Sequence, residues 1–174
     1  MKRIGLMSDT HGDIDPKVFT YFKDVDEIWH AGDVGSMDVV DALEAFKPVR
    51  GVYGNIDDHI LRRTWPKVNA FDCEGMKVVI THIAGKPYKY YPEAKAIIQE
   101  HQPTIFVCGH SHILLVQFDK NINALWLNPG ACGYKGFHQV KTLLRFSIDA
   151  GQVKDMEVIE LGPKVKAKVP NNLG

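Results

Sequence analysis

Five short apolar runs in this chain each stop at a residue able to ligate a metal ion. Arg3–Met7 leads into Ser8-Asp9-Thr10-His11-Gly12, and Glu27–His30 into Ala31-Gly32-Asp33. Val49–Tyr53 is followed by Gly54-Asn55, Val78–Thr81 by His82, and Ile105–Cys108 by Gly109-His110-Ser111-His112. Short runs of this kind bounded by glycine and aspartate read as strands. In α/β sheets, ligands bind beyond the carboxyl ends of the strands, so these tips are expected to converge.

Helical patterns separate the early strands. Pro16 can open a helix through Lys23. Ser36 can cap a helix that carries Val39, Val40, Leu43 and Phe46 on one face and stops before Pro48. Glu93–His101 reads as one further helix. The later runs Leu114–Phe118, Ala124–Leu127, Thr142–Ile148 and Val153–Ile159 read as strands, the last two joined by an Asp149-Ala150-Gly151 turn. Strands alternating with helices, then a run of strands, predict a mixed α/β domain of two packed sheets flanked by helices. No linker-like stretch divides the 174 residues, which predicts a single domain over 1–174.

The residue types at the strand ends decide the chemistry. Carboxylate, amide and imidazole groups suit manganese, iron, zinc, nickel or magnesium better than a thiolate site would. Gly12, Gly32, Gly54 and Gly109 adjoin them, where glycine permits close approach of backbone to a bound group. Singly, each element has a plainer reading. An Asp-x-His is a capped turn with a surface histidine, a Gly-Asp is a turn, and His82 is a core histidine. Five such ends in one chain are hard to explain that way.

Taken in order, Ser8-Asp9-Thr10-His11-Gly12, Gly32-Asp33, Gly54-Asn55, Thr81-His82 and Gly109-His110-Ser111-His112 resemble the motif set of calcineurin-like metallophosphoesterases. Asn128-Pro129-Gly130 resembles the small single-domain phosphodiesterase branch. The resemblance implies an αββα sandwich of two mixed β-sheets with a two-metal centre. It implies that Asp9, His11, Asp33 and His112 hold one ion, and that Asp33, Asn55, His82 and His110 hold the second. Asp33 would bridge the ions, a carboxylate having two oxygens with which to span them. Asp33, Asn55 and His82 stand closest to the implied chemistry, hydrolysis of a small phosphate ester by a metal-bound water or hydroxide. Manganese heads the implied metals, with iron, nickel, zinc and magnesium behind it. Two residues depart from the family pattern. Ile56 stands where many members have a histidine serving the leaving group, and Ile83 where a glycine is usual.

The same fold serves as a non-catalytic scaffold in the retromer coat, the alternative reading, with part of its metal set altered. All seven positions here keep competent residues, which favours an enzyme. Lys plus Arg equals Asp plus Glu at 21 each, which argues against a nucleic-acid partner. No apolar stretch approaches membrane-span length. Cys73, Cys108 and Cys132 form no disulfide framework, so a cytoplasmic protein is expected, a homo-oligomer remaining compatible. Asp57, Asp58 and His59 read as a polar turn, or as partners of a ligand imidazole or the substrate. Tyr88, Tyr90 and Tyr91 read as a loop cluster or a pocket wall. His30, His101 and His138 read as structural or surface residues, Cys108 as core, and Lys164, Lys166 and Lys168 as a solvated tail.

Overall fold

Strand β1, Lys2–Met7, alternates its side chains between two environments, as a strand buried on both faces must. Ile4 and Leu6 point to one cluster, while Gly5 lies under the ring of Phe22. A Cβ on Gly5 would stand 2.8 Å from three atoms of that ring, so the strand needs glycine there for the phenylalanine just past the first helix to close on it.

The computed structural model describes residues 1–165. Chain order continues through α1 (Lys17–Tyr21), β2 (Glu27–His30), α2 (Met37–Phe46), β3 (Val49–Gly51) and α3 (His59–Thr64). Then come β4 (Val68–Cys73), β5 (Met76–Thr81), a β6–β7 hairpin (Gly85–Lys86 and Lys89–Tyr90) and α4 (Pro92–His101). The chain closes with β8 (Ile105–Val107), β9 (Leu115–Asp119), β10 (Ala124–Asn128), β11 (Val140–Asp149) and β12 (Gln152–Pro163).

Two five-stranded sheets result, in the orders β12-β11-β1-β2-β3 and β4-β5-β8-β10-β9. In each, three neighbouring strands run parallel: β1, β2 and β3 in one, β5, β8 and β10 in the other. Their inner faces share a core in which Ile4, Leu6 and Trp29 meet Val78, Ile80, Ile105 and Leu127. Val18 and Phe22, with Val39, Val40 and Leu43 from α2, cover the outside of the first sheet. Ala94, Ile97 and Ile98 of α4 cover the second, against Val79, Phe106 and Trp126. The layers are therefore helix, sheet, sheet, helix, as expected. Each such aliphatic side chain contributes ~1.5–3 kcal/mol when fully buried.

Several boundaries differ from the sequence expectation. The third strand ends at Gly51, not Tyr53, because Tyr53 turns its amide to the Pro66 carbonyl. The first helix spans only Lys17–Tyr21, and Ser36 occupies the cap position of α2 without a side-chain capping bond. Lys166 and Lys168 lie outside the described residues.

Candidate metal centre

The parallel strands of both sheets point their carboxyl ends to one edge of the sandwich. Asp9 and His11 follow β1, Asp33 follows β2, and Asn55 follows β3. His82 directly follows β5, while His110 and His112 follow β8. Backbone bonds lock these loops together: Asp9 N to Gly32 O, His11 N to Asp33 O, and Gly109 N to His82 O, each 3.0 Å.

All seven residues meet there, in two groups that share a border. Asp9, His11 and His112 offer ligand atoms within 4.8 Å of one another, and so do Asp33, His82 and His110. Asn55 Oδ1 joins the second group, 3.1 Å from His82 Nε2 and 3.0 Å from His110 Nδ1. Asp33 Oδ2 faces both, 3.5 Å from His11 Nε2 and 3.2 Å from His82 Nε2. Its Oδ1 instead accepts the Ile56 amide at 3.1 Å. Asp33 Oδ2 thus lies at the border between the two groups, the position that the family resemblance implies for Asp33.

Hydrogen-bond direction tests whether a cation suits the site. His82 Nδ1 lies 2.7 Å from the Ala31 carbonyl, which can only accept, so Nδ1 carries the hydrogen of the neutral ring. His82 Nε2 is then bare, yet it faces Asp33 Oδ2 and Asn55 Oδ1, both acceptors. Three converging acceptors need a cation among them. His11 Nε2 is buried with no hydrogen-bond partner at all. These donors fit two divalent ions of the hard to borderline class.

The electrostatics agree. Burial works against ionisation of Asp9, but the neighbouring His11 and His112 imidazoles, the charge of His82 and the Ser8 hydroxyl outweigh it and hold the carboxyl far below its ordinary range. Burial also opposes protonation of His82, yet Asp33 and Asp9 push its pKa up: without a metal, a proton fills the cation's role. Burial and the charge of His82 push His110 down.

Five of the seven have left-handed backbone: Asp9 (φ 57°), His11 (49°), Asp33 (53°), His110 (68°) and His112 (60°). Non-glycine residues adopt this conformation seldom, Asp and His more readily than most. Such conformations tend to cluster at functional sites. At Gly54 the constraint is space, since a Cβ would fall 2.1 Å from Asp33 Oδ1.

Some neighbouring residues follow the sequence reading and others depart from it. Asp57 is buried, and its carboxylate accepts from the amides of Val34, Gly35 and Gly54, clamping two site loops. Asp58 caps α3, and His59 is its exposed first residue. Tyr90 bonds Asp119, whereas Tyr91 lines a cavity of about 270 Å³ beside Asn55 and His82. Tyr53, Arg62, Lys67 and Ile83 line the same cavity. His30 is structural: fully buried and pushed down to about 4 by burial, it accepts the Gly32 amide and bonds the Thr10 hydroxyl. Cys108 is core. His138 touches His112, a contact that no local pattern announces across 26 residues.

Comparison with known proteins matches this geometry to a family. The calcineurin-like phosphoesterase superfamily domain matches residues 1–151. A "Probable metallophosphoesterase" of Methanothermobacter thermautotrophicus is 30% identical over 167 residues, covering 93% of this chain and 94% of that one. An archaeal phosphodiesterase of known structure superposes with a TM-score of 0.71 at 22% identity, covering 91% of this chain and 99% of the other. A single mutant of Vps29 from Entamoeba histolytica superposes with a TM-score of 0.71 at 17% identity, over 92% of this chain and 99% of the other. The chain belongs to the calcineurin-like phosphoesterase superfamily, a family that implies divalent metal ions.

Proposed function

We propose that the protein is a metal-dependent phosphodiesterase. In this reading Asp9, His11, Asp33 and His112 would hold one divalent ion, and Asp33, Asn55, His82 and His110 the other, Asp33 serving both sets. The observation that carries it is the convergence of His82 Nε2, Asp33 Oδ2 and Asn55 Oδ1 on one point that only a cation can join, while His82 Nδ1 is committed to the Ala31 carbonyl. When bound, two such ions supply Lewis acidity, neutralising phosphoryl oxygens and activating water near neutral pH. Manganese is our first candidate, ahead of iron, nickel, zinc and magnesium.

The chain's own groups supply position and charge. Asn55 brings an oxygen without adding negative charge where an anionic phosphate must bind. Arg62 donates to the carbonyls of Asn55 and Asp57 at 3.2 and 2.7 Å, which fixes the Asn55 loop and places a cation beside the cavity. Lys67 adds a second cation to that wall, ion-paired with Glu93 of the same wall, and Tyr53 and Tyr91 offer apolar surface. The cavity suits a small anionic ester, and the balanced charge of the chain does not favour a long polyanion.

We read the whole chain as one domain, because β12 pairs along most of β11 beyond the family match. Three buried free cysteines support a cytoplasmic location. Among the described residues no helix is long and apolar enough to cross a membrane.

The test is a screen of metal-reconstituted protein against aryl phosphodiesters and monoesters, with a chelated control. Diester hydrolysis that vanishes on chelation and returns with manganese is expected. A fully loaded protein that hydrolyses neither class would favour the scaffold reading.

A further inference from the structure

His138 lies outside every motif, yet it sits against a proposed ligand. Its Nε2 is 2.8 Å from the Gly133 carbonyl, and its Nδ1 is 3.2 Å from Nδ1 of His112. The carbonyl can only accept, so Nε2 carries the hydrogen, and a neutral ring then leaves Nδ1 bare. One hydrogen must lie between the two Nδ1 atoms, and it therefore belongs to His112. That assignment frees His112 Nε2, which faces Asp9 Oδ1 at 3.0 Å.

The loop is built for this contact. Gly136, at φ 126°, lies over the His112 ring, and a Cβ there would fall 2.1 Å from His112 Nδ1. Gly133 packs on the Asp9 loop: its amide reaches Asp9 O at 3.2 Å, and a Cβ would fall 2.4 Å from Thr10 O. The two imidazoles meet edge to face, 74° apart, with centroids at 5.1 Å. The carbonyl that sets the His138 tautomer thus belongs to a segment anchored on another ligand loop.

We propose that His138 is a positioning residue. A Gly133–His138–His112 relay fixes the His112 tautomer and ring angle, so that Nε2 meets the ion already bare. This rests on reading His112 as a ligand. Partners that orient a ligating histidine typically change metal affinity by ~10–100-fold when removed.

The test compares wild type with His138→Phe and His138→Asn. Phenylalanine keeps a ring without an acceptor, whereas the asparagine Oδ1 can accept where Nδ1 does. Zinc affinity is measured by chelator competition. In zinc-loaded wild type, ¹⁵N NMR should place the shared proton on His112 Nδ1, with a coupling across the hydrogen bond to His138 Nδ1. His138→Phe should weaken one of two ions by ~10–100-fold, and His138→Asn should regain most of that loss. Unchanged affinity in His138→Phe, no rescue by asparagine, or the proton on His138 Nδ1 would overturn the proposal. If wild type binds no zinc, the ligand reading itself fails. The proton position in metal-free protein, above the pH at which both rings are neutral, then decides the relay separately. Should His138→Phe not fold, the wild-type spectrum and the asparagine variant decide the same question.

Discussion

His82 turns a bare Nε2 toward Asp33 Oδ2 at 3.2 Å, because its Nδ1 hydrogen is committed to the Ala31 carbonyl at 2.7 Å. Two acceptors at that distance repel until a proton or a metal ion joins them. The fold therefore presents a ready-made cation site, and a bound ion should stabilise it. Divalent metal at a hundredfold excess over its dissociation constant should add about 2.7 kcal/mol per site. Calorimetric melting with and without chelator measures this, and a melting temperature indifferent to manganese would count against the site.

Ile56 sets the second expectation. Half exposed beside the site, it gives its amide to Asp33 but has no side-chain proton to offer a leaving group. General acid help is typically worth ~10²–10⁴-fold. Rates across aryl and alkyl phosphodiesters should therefore depend steeply on leaving-group acidity. Ile56→His should flatten that dependence if its imidazole reaches the leaving oxygen. A flat wild-type dependence with chemistry rate-limiting would reveal another donor, and His59→Ala would then test the nearest candidate in sequence.

Much of the site was legible because its residues sit beside their own strand ends. Asp9, Asp33 and His82 each follow a run whose apolar character is local information. What sequence missed depends on contacts made far along the chain. His138 meets His112 only because Gly133 packs on the Asp9 loop. Asp57 looked like part of a polar turn, but its burial comes from the Val34–Gly35 loop it clamps. The pairing of β11 beside β1 joins residues more than a hundred positions apart, which periodicity cannot express. Strand β4 was not anticipated at all; Asn69 and Asp72 interrupt the apolar run Val68–Cys73, and pairing with β5 supplies its order. The Ile56 amide's bond to Asp33 Oδ1, which orients that carboxylate, was hidden for a similar reason.

Gly54 should tolerate no side chain. A Cβ would fall 2.1 Å from Asp33 Oδ1 and 2.3 Å from its backbone nitrogen, and backbone cannot rotate away. Gly54→Ala should lose about 1–3 kcal/mol of stability, the usual cost of overpacking, and should weaken metal binding through the displaced Asp33. Denaturant melts and chelator competition measure the two effects. Wild-type metal affinity in Gly54→Ala would mean that Asp33 need not sit where it does.

A buried ion pair gives a pH signature away from the site. Lys141 donates to Asp15, and both side chains are at least nine-tenths buried. Burial alone would raise the Asp15 carboxyl, but the Lys141 hydrogen bond and the Lys17 amide outweigh it and hold it low. Burial alone would lower Lys141, but Asp15 and Tyr134 hold it high. Asp15 therefore contributes stability above its unfolded pKa of ~3.9, lost as pH falls through the depressed folded value. Lys141 contributes below its unfolded pKa of ~10.4, lost as pH rises through its raised folded value. Asp15→Ala leaves the buried ammonium without its counter-ion, with Tyr134 as a remaining partner, and should cost up to about 3–5 kcal/mol near neutrality. Melting curves from acid to alkaline pH would show it, and a variant as stable as wild type at pH 7 would contradict the pairing.

The most direct measurement is a count of bound metal per chain in wild type and Asp33→Ala, by elemental analysis after reconstitution with manganese and removal of free ion. Because Asp33 Oδ2 faces both ligand groups, wild type should carry two ions and Asp33→Ala should lose the organisation of both, retaining fewer than one. An unchanged count of two in Asp33→Ala, or a wild type that retains no metal, would contradict the shared centre on which the proposed phosphodiesterase rests.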